Sequence, residues 1–257
     1  MYRKCIGFFV IAVMMLSCSN HDQEDVEAKQ MLQGIWVNDE QGSPAFMAQG
    51  DSIFYPDSTS QPVSFWVSED SLYLQGSRLC RYKITKQAEH LFQFVNQSGD
   101  EVKLVKAQDK GFQQQFKQYQ PYALNLFTTF DSDTIVHDSG VTYDCRIHVE
   151  PTSERIVKAL YNNEGIEVEN IYLDQAVSLT ILKDQKKILE QTTLKNDFAA
   201  LVPKEQFNRY ILRSINYSYH DTEAIYLDAI IGIPDAASSY VVEMKVSDDG
   251  KITKRVK

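Results

Sequence analysis

Histidine is scarce in this chain, with five in 257 residues, alongside four cysteines, two tryptophans, eleven glycines and seven prolines. Few histidines leave few bases for nucleophilic or metal-assisted chemistry. The modest glycine and proline content argues against a collagen-like or low-complexity chain. Cations are outnumbered, 26 Lys and Arg against 35 Asp and Glu, for a net charge of −9. That balance, without a dense basic patch, excludes strong binding to a phosphate backbone, so no nucleic-acid partner is expected. No phosphate loop, Gly-x-Gly-x-x-Gly, His-Glu-x-x-His, Cys-x-x-Cys, Gly-x-Ser-x-Gly or Ser-x-x-Lys occurs. The expectation is a protein that is not an enzyme, with no catalytic residues, no cofactor and no metal. What is present is a globular composition, 43% apolar and 11% aromatic, in a length that suits one large or two small domains.

Arg3 and Lys4 precede an apolar run over residues 5–16, and the run ends Met15-Leu16-Ser17-Cys18. It has signal-peptide length and is too short to cross a bilayer as a helix. A medium apolar residue, a small residue and then cysteine resembles the cleavage box of bacterial lipoproteins, although Met15 stands where leucine is commoner. The resemblance implies removal of residues 1–17, a diacylglycerol thioether on Cys18 and an acylated amine, with the membrane as partner through that lipid. Several acyl chains anchor firmly where one is marginal. The alternative is an ordinary cleaved signal with a chance cysteine. Ser19 and Asn20 follow, with no aspartate directly after the cysteine, so the outer membrane is expected. His21-Asp22-Gln23-Glu24-Asp25-Val26-Glu27 then makes an acidic tether, residues 18–30, that resembles the export signal of surface lipoproteins in the Bacteroidetes. A plain solvated leash reads the same way, so both the surface and the periplasmic side stay open.

With Cys5 in the signal and Cys18 lipidated, Cys80 and Cys145 remain. Cys80, Tyr82 and Ile84 alternate against Arg81 and Lys83; Val141, Tyr143, Cys145, Ile147 and Val149 alternate against Thr142, Asp144, Arg146 and His148. Both thiols thus fall on core-facing sides of strands, and two separate buried cysteines are expected rather than a bridge.

Short alternating runs at 34–38, 45–48, 52–55, 63–67, 71–74, 79–85, 90–96 and 101–106 are separated by turn residues. This predicts an antiparallel meander over 31–107 that closes as a barrel or sandwich. Gly34-Ile35-Trp36, a Gly-x-Trp opening the first strand, resembles lipocalin-like domains, in which the indole plugs one barrel end. A barrel would enclose either an apolar ligand cavity or a filled core. Residues 108–130 form an aromatic, glutamine-rich connector. Phe112, Phe116 and Tyr119 stand at helical spacing up to Pro121, which predicts an amphipathic segment that packs the two halves together. Residues 131–257 read as a second antiparallel β domain, sandwich-like. Hairpins are expected at Asp138-Ser139-Gly140 and Asp184-Gln185, strands at 134–137, 141–150, 176–183, 186–194, 212–219, 225–233, 239–246 and 251–256, and short helices near 24–32, 111–120 and 196–210. The segment 154–161 suits strand or helix equally. The fold class is therefore mainly β, two antiparallel β domains with few short helices.

Tyr172-Leu173-Asp174-Gln175, Thr193-Leu194-Lys195-Asn196-Asp197-Phe198, Ile231-Gly232-Ile233-Pro234-Asp235, Ser239-Tyr240 and Gly250-Lys251-Ile252 resemble the C-terminal half of a family of uncharacterised Bacteroidetes lipoproteins, a domain of unknown function. The resemblance covers about residues 131–257 and implies no activity, cofactor or catalytic residue. Locally, Gly232 lets a strand bend or bulge and Pro234 ends its pairing. His148 shares a polar face with Asp144 and Arg146, with His137 across the hairpin; this suits a metal or acid–base site less well than a solvated sheet face. Asp131-Ser132-Asp133 lacks the rest of a calcium loop and reads as a turn cap. Asp51-Ser52-Ile53, Asp57-Ser58-Thr59, Asp70-Ser71-Leu72 and Asp133-Thr134-Ile135 resemble the O-glycosylation sequon of secreted Bacteroidetes proteins, which makes Ser52, Ser58, Ser71 and Thr134 candidate sites. Asp-Ser before an apolar residue is also how a turn enters a strand.

These features point to an outer-membrane lipoprotein that works as a binding module for a glycan, lipid or protein partner. The alternatives are an envelope-assembly lipoprotein facing the periplasm, and a hydrolase whose site assembles in space.

Overall fold

The computed structural model of the chain describes residues 25–117, 122–138 and 140–257. Residues 1–24, which include the expected signal peptide and Cys18, residues 118–121 and Ser139 of the first expected hairpin lie outside them. The architecture is mainly β: a closed eight-stranded barrel followed by two four-stranded antiparallel sheets.

Helix α1 (Val26–Leu32) starts where the Asp25 carboxylate accepts the Ala28 N–H at 2.9 Å, an ordinary side-chain cap. It lays Ala28 and Leu32 on the barrel. The barrel strands are β1 (Gly34–Asn38), β2 (Pro44–Gln49), β3 (Ser52–Phe54), β4 (Val63–Ser68), β5 (Ser71–Gln75), β6 (Leu79–Ala88), β7 (Leu91–Val95) and β8 (Glu101–Lys106). Each pairs with the next, and β1 pairs with β8, so the sheet has no free edge. Phe65 and Val67 on β4, Cys80 and Tyr82 on β6, and Phe92 and Phe94 on β7 all point inward, the alternation expected of such a wall. Trp36 is fully buried at the α1 end, where its indole N–H donates to the Leu32 carbonyl at 2.6 Å. Phe92 packs against Trp36, Phe46 and Phe94, with ring centroids 5.7, 6.3 and 5.5 Å away. Of the two interiors left open by the sequence, the barrel has the filled one.

After a 3-10 helix (Lys110–Lys117) the connector runs along the second domain. Phe112 and Phe116 are the half-buried positions of that helix among exposed glutamines, Tyr119 lies outside the described residues, and further on Tyr122 is exposed under Arg155 and Phe127 is 90% exposed. Ala123 and Leu126 pack on Ile171 and Leu173, and the Leu124 N–H donates to the Ile171 carbonyl at 2.8 Å. The Asn125 amide pairs with the Leu173 backbone on both sides, at 2.7 and 2.8 Å, so this stretch imitates a strand.

The first sheet holds β9 (Phe130–Asp138), β10 (Val141–Tyr161), β11 (Glu167–Lys183) and β12 (Lys186–Leu194) in the order β12-β11-β10-β9. Phe130 already belongs to β9, so Asp131-Ser132-Asp133 lies in a strand and is not the turn cap expected from its composition. Asp184 and Gln185 both take positive φ, 48° and 67°, the two-residue hairpin expected there. Two 3-10 helices (Lys195–Phe198 and Lys204–Arg209) lead to the second sheet, β13 (Ile211–His220), β14 (Ala224–Gly232), β15 (Tyr240–Ser247) and β16 (Ile252–Val256), paired in sequence order. Gly232 closes β14 for a different reason from a bend: an added Cβ would lie 3.0 Å from the Ser238 carbonyl of the loop folded over it. One core fills the space between the sheets, from Tyr143, Cys145, Ile147 and Val149 to Leu227, Val242, Met244 and Val246. Cys80 sits in the barrel core and Cys145 in this one, and both thiols are free and buried. Burial lifts the Cys145 thiol to about 12.

The segment 154–161 is strand, and β11 begins well before residue 176. Together they make a long hairpin whose tip leaves the sandwich and closes the barrel. Ile166 and Val168 join the barrel core, 1% and 5% exposed. The Tyr55 hydroxyl donates to the Glu167 carbonyl at 3.2 Å, and the Glu167 N–H donates to the Tyr82 hydroxyl at 2.8 Å. Arg78 Nε reaches the Glu167 carboxylate at 2.7 Å, and the Ser77 N–H donates to Glu169 at 2.6 Å. A Cβ at Gly76 would stand 2.6 Å from that same Glu169 carboxylate, so a larger residue there would have to displace the carboxylate from Ser77. The barrel and the sandwich are thus stapled by apolar insertion and by buried polar pairs.

Candidate functional site

The sequence-predicted positions are dispersed. Cys18 lies outside the described residues. Ser58 is exposed in the loop after β3, Ser52 and Thr134 are partly exposed, and Ser71 is completely buried. The Ser71 hydroxyl bonds the Glu69 carbonyl at 3.3 Å and accepts from Arg81 Nε at 3.0 Å, so the folded chain offers no glycan acceptor there. Asp51, Asp57 and Asp70 sit in turns or bends, whereas Asp133 lies within β9. Asp57 caps its own loop, accepting from the Thr59 and Ser60 N–H groups at 2.8 and 2.6 Å.

The polar face of β10 does not assemble a metal site. His137 stands opposite Thr142, bonding its hydroxyl at 2.9 Å, while His148 stands opposite Asp131, well along the strand. His148 Nδ1 lies 2.7 Å from the Asp131 carboxylate, whose hydrogen bond raises the imidazole pKa above its ordinary value. Arg146 pairs with Asp144 at 2.7 Å. Among the described residues no group of three or more His, Cys, Asp or Glu could hold a metal ion, and no helix is long and apolar enough to cross a membrane.

Four of the motifs quoted above for the C-terminal resemblance meet at one end of the sandwich, while Gly250-Lys251-Ile252 turns the chain at the other, beside Lys183 and Ile188. Lys195, with its side chain 1% exposed, places its ammonium 2.7 Å from Glu154, 3.6 Å from Asp174 and 3.2 Å from the Tyr210 carbonyl. Burial raises the Asp174 carboxyl pKa, against the lowering influence of the Leu212 N–H and of Lys195. Nearby, the Tyr172 hydroxyl donates to Asp235 at 2.5 Å, and Arg213 binds the Ile233 and Ala236 carbonyls. These groups bond one another and the backbone. They tie β10, β11, β13 and the loop after β14 together, which is a structural task.

A different arrangement covers the outer face of the second sheet. Along β13, Ile215 and Tyr217 turn toward the core. A bulge between Tyr217 and Tyr219 then adds a residue, so Tyr219 pairs with Tyr226 and points outward. The bulge is why Tyr217 and Tyr219, two apart in sequence, face opposite ways. The row continues Tyr219–Tyr226–Lys245–Thr253 across all four strands, with Asp228–Glu243–Arg255 beside it. Tyr219 stacks on Tyr226 with centroids 4.2 Å apart and planes at 10°. Tyr226 is anchored through its hydroxyl to Asp221 at 2.9 Å. Glu243, with its side chain 4% exposed, takes Arg255 Nε at 2.7 Å, and that bond lowers its pKa. Lys257 stands 3.7 Å from Glu243 and 2.7 Å from Asp228. The result is a cleft of about 400 Å³ lined by Tyr219, Tyr226, Glu243, Lys245, Thr253, Lys254 and Arg255. The Tyr219 hydroxyl donates to Glu243 at 3.3 Å, which leaves the Tyr219 ring, 41% exposed, as the open face of the cleft. Sequence reasoning missed it. The one legible signal was a tyrosine, Tyr226, between the core-facing Ile225 and Leu227.

Among known proteins, a family model described as Domain of unknown function (DUF4738) matches residues 109–254, reaching further into the connector than the expected 131. A search of the curated proteins finds no match. The match covers more than half of the sequence and includes both sheets of the sandwich, so this chain belongs to the DUF4738 family.

Proposed function

We propose that the chain is an outer-membrane lipoprotein, held by lipid on Cys18, whose mature part is a non-catalytic binding module for a glycan. The anchor is supported by Met15-Leu16-Ser17-Cys18 behind a short apolar run. The observation that carries the binding reading is Tyr219, 41% exposed and stacked on Tyr226 beside Lys245 and Thr253. A rigid aromatic face rimmed by hydrogen-bonding groups suits a sugar ring, which presents C–H groups on one side and hydroxyls at its edge.

The test is a glycan microarray probed with the detergent-solubilised full-length lipoprotein and with its Tyr219→Ala form. Wild-type binding to a defined subset, weakened about tenfold or more by Tyr219→Ala, is the expected result. Absence of binding by the wild type, together with leakage of periplasmic enzymes on deletion, would replace this reading with an envelope-assembly role.

A further inference from the structure

We propose that the cleft over β13–β16 selects glycans that carry a carboxylate, of the uronic-acid type. The inference rests on the glycan-binding reading and adds the ligand's charge. The chain as a whole has a net charge of −9, so an anionic ligand is repelled from most of its surface. The cleft relieves that repulsion locally. Three cations, Lys245, Lys254 and Arg255, line it with one carboxylate, Glu243, while Asp221, Asp228 and Lys257 stand at its rim. The Lys254 amine is directed elsewhere, to the Asp197 carbonyl at 3.0 Å. Glu243 is already neutralised by Arg255 and approached by Lys257.

Lys245 makes no direct salt bridge to a carboxylate among the described residues; its ammonium lies over the Tyr226 ring at 5.6 Å from the centroid and interacts with the Tyr226 hydroxyl, with Asp221 and Glu223 as its acidic neighbours. Arg255 meets Glu243 through Nε while its side chain is 73% exposed, so its outer N–H edge is open to a second acceptor. Tyr219 and Lys245 flank Tyr226 on either side, two strand spacings apart, roughly 10 Å. A sugar ring stacked on Tyr219 therefore places the carboxylate of the same or the next unit within reach of Lys245 and Arg255. Because Tyr219 is held by its stack on Tyr226, little side-chain freedom is lost on binding.

The experiment is calorimetric titration of the detergent-solubilised full-length lipoprotein with oligogalacturonate and with hyaluronan oligosaccharides, each as the free acid and as its carboxyl methyl ester. At least one free acid is expected to bind about tenfold or more tightly than its ester, and to weaken as salt is raised. Lys245→Gln should reduce the acid to the affinity of the ester and leave the ester unchanged. Tyr219→Ala should weaken both forms about tenfold, with Tyr219→Phe close to wild type. Trp66→Ala, which removes a partly exposed aromatic stack on the barrel (Trp66 on Tyr73), should change nothing. Equal binding of acid and ester, indifference to Lys245→Gln, or loss in Trp66→Ala would each overturn the proposal. Ester or neutral-glycan binding that needs Tyr219 but shows no acid preference keeps the broader reading and rejects this one. No binding to any glycan rejects both.

Discussion

Lys195→Ala is expected to destabilise the protein by about 3–5 kcal/mol, the usual result of removing one partner from a buried charge pair. The ammonium is 1% exposed and holds Asp174, Glu154 and the Tyr210 carbonyl. Without it the Asp174 carboxylate, 5% exposed, keeps the Leu212 N–H at 2.8 Å but loses its counter-charge. The pH dependence has a definite sign. Burial already raises the Asp174 pKa above that of the unfolded chain, and removal of Lys195 raises it further. A carboxyl raised in the folded state favours folding less as pH climbs above its unfolded value. The gap between Lys195→Ala and wild type should therefore narrow as pH falls and Asp174 takes up a proton. Lys195→Met with Asp174→Asn, which removes both charges and keeps the acceptor for Leu212, should recover most of the loss. Urea titrations of wild type, Lys195→Ala, Lys195→Met, Asp174→Asn and the double variant at two pH values measure this. Additive single effects would show that the pair is not coupled.

Ile166→Asp is expected to cost about 4 kcal/mol or more, because it removes a buried aliphatic side chain and puts a carboxyl among aromatic rings. Ile166 is 1% exposed and sits in the barrel core although it belongs to the sandwich hairpin. Beside it, Tyr55 and Tyr82 bond the Glu167 backbone, and burial raises the Tyr55 hydroxyl far above its ordinary range. The expected failure is at the junction. Hydrogen exchange should rise first at Tyr55, Tyr82 and residues 161–169, and protease should cut the hairpin tip while the sandwich core stays protected. Ile166→Val should cost only about 0.5–1.5 kcal/mol. Protection at the tip unchanged in Ile166→Asp would mean that the insertion does not hold the two parts together.

Much of the fold was readable because most strands have one wet face. Phe92 and Phe94 alternate with Gln93, and Cys145 and Ile147 with Arg146, which placed both cysteines correctly in cores. The Asp184-Gln185 turn and the buried indole of Trp36 were equally local signals. The first half of β11 was not readable. From Glu167 to Leu179 every residue but Ser178 is buried, since the barrel or connector covers one side and the rest of the domain the other. With no wet face the period-2 pattern vanishes, and glutamates at 167 and 169 even suggest a loop. The connector was readable in part: Phe112 and Phe116 are the half-buried positions of its helix, but the contacts of Ala123 and Asn125 with β11 had no signal, since a small residue and an amide carry no hydrophobic pattern. The cleft was illegible for a third reason. Its members come from four strands, and the bulge that re-aims Tyr219 is set by pairing with β14, not by neighbours in sequence.

The proposed lipid on Cys18 would fix where the cleft is displayed. The direct measurement is mass spectrometry of the N-terminal peptide from native protein, combined with outer-membrane fractionation of wild type and Cys18→Ala. The account predicts a mature chain that starts at Cys18, carries diacylglycerol and an amide-linked acyl chain, and fractionates with the outer membrane, while Cys18→Ala loses the lipid and leaves that fraction. An unmodified Cys18, or a Cys18→Ala protein that remains in the outer membrane, would contradict it.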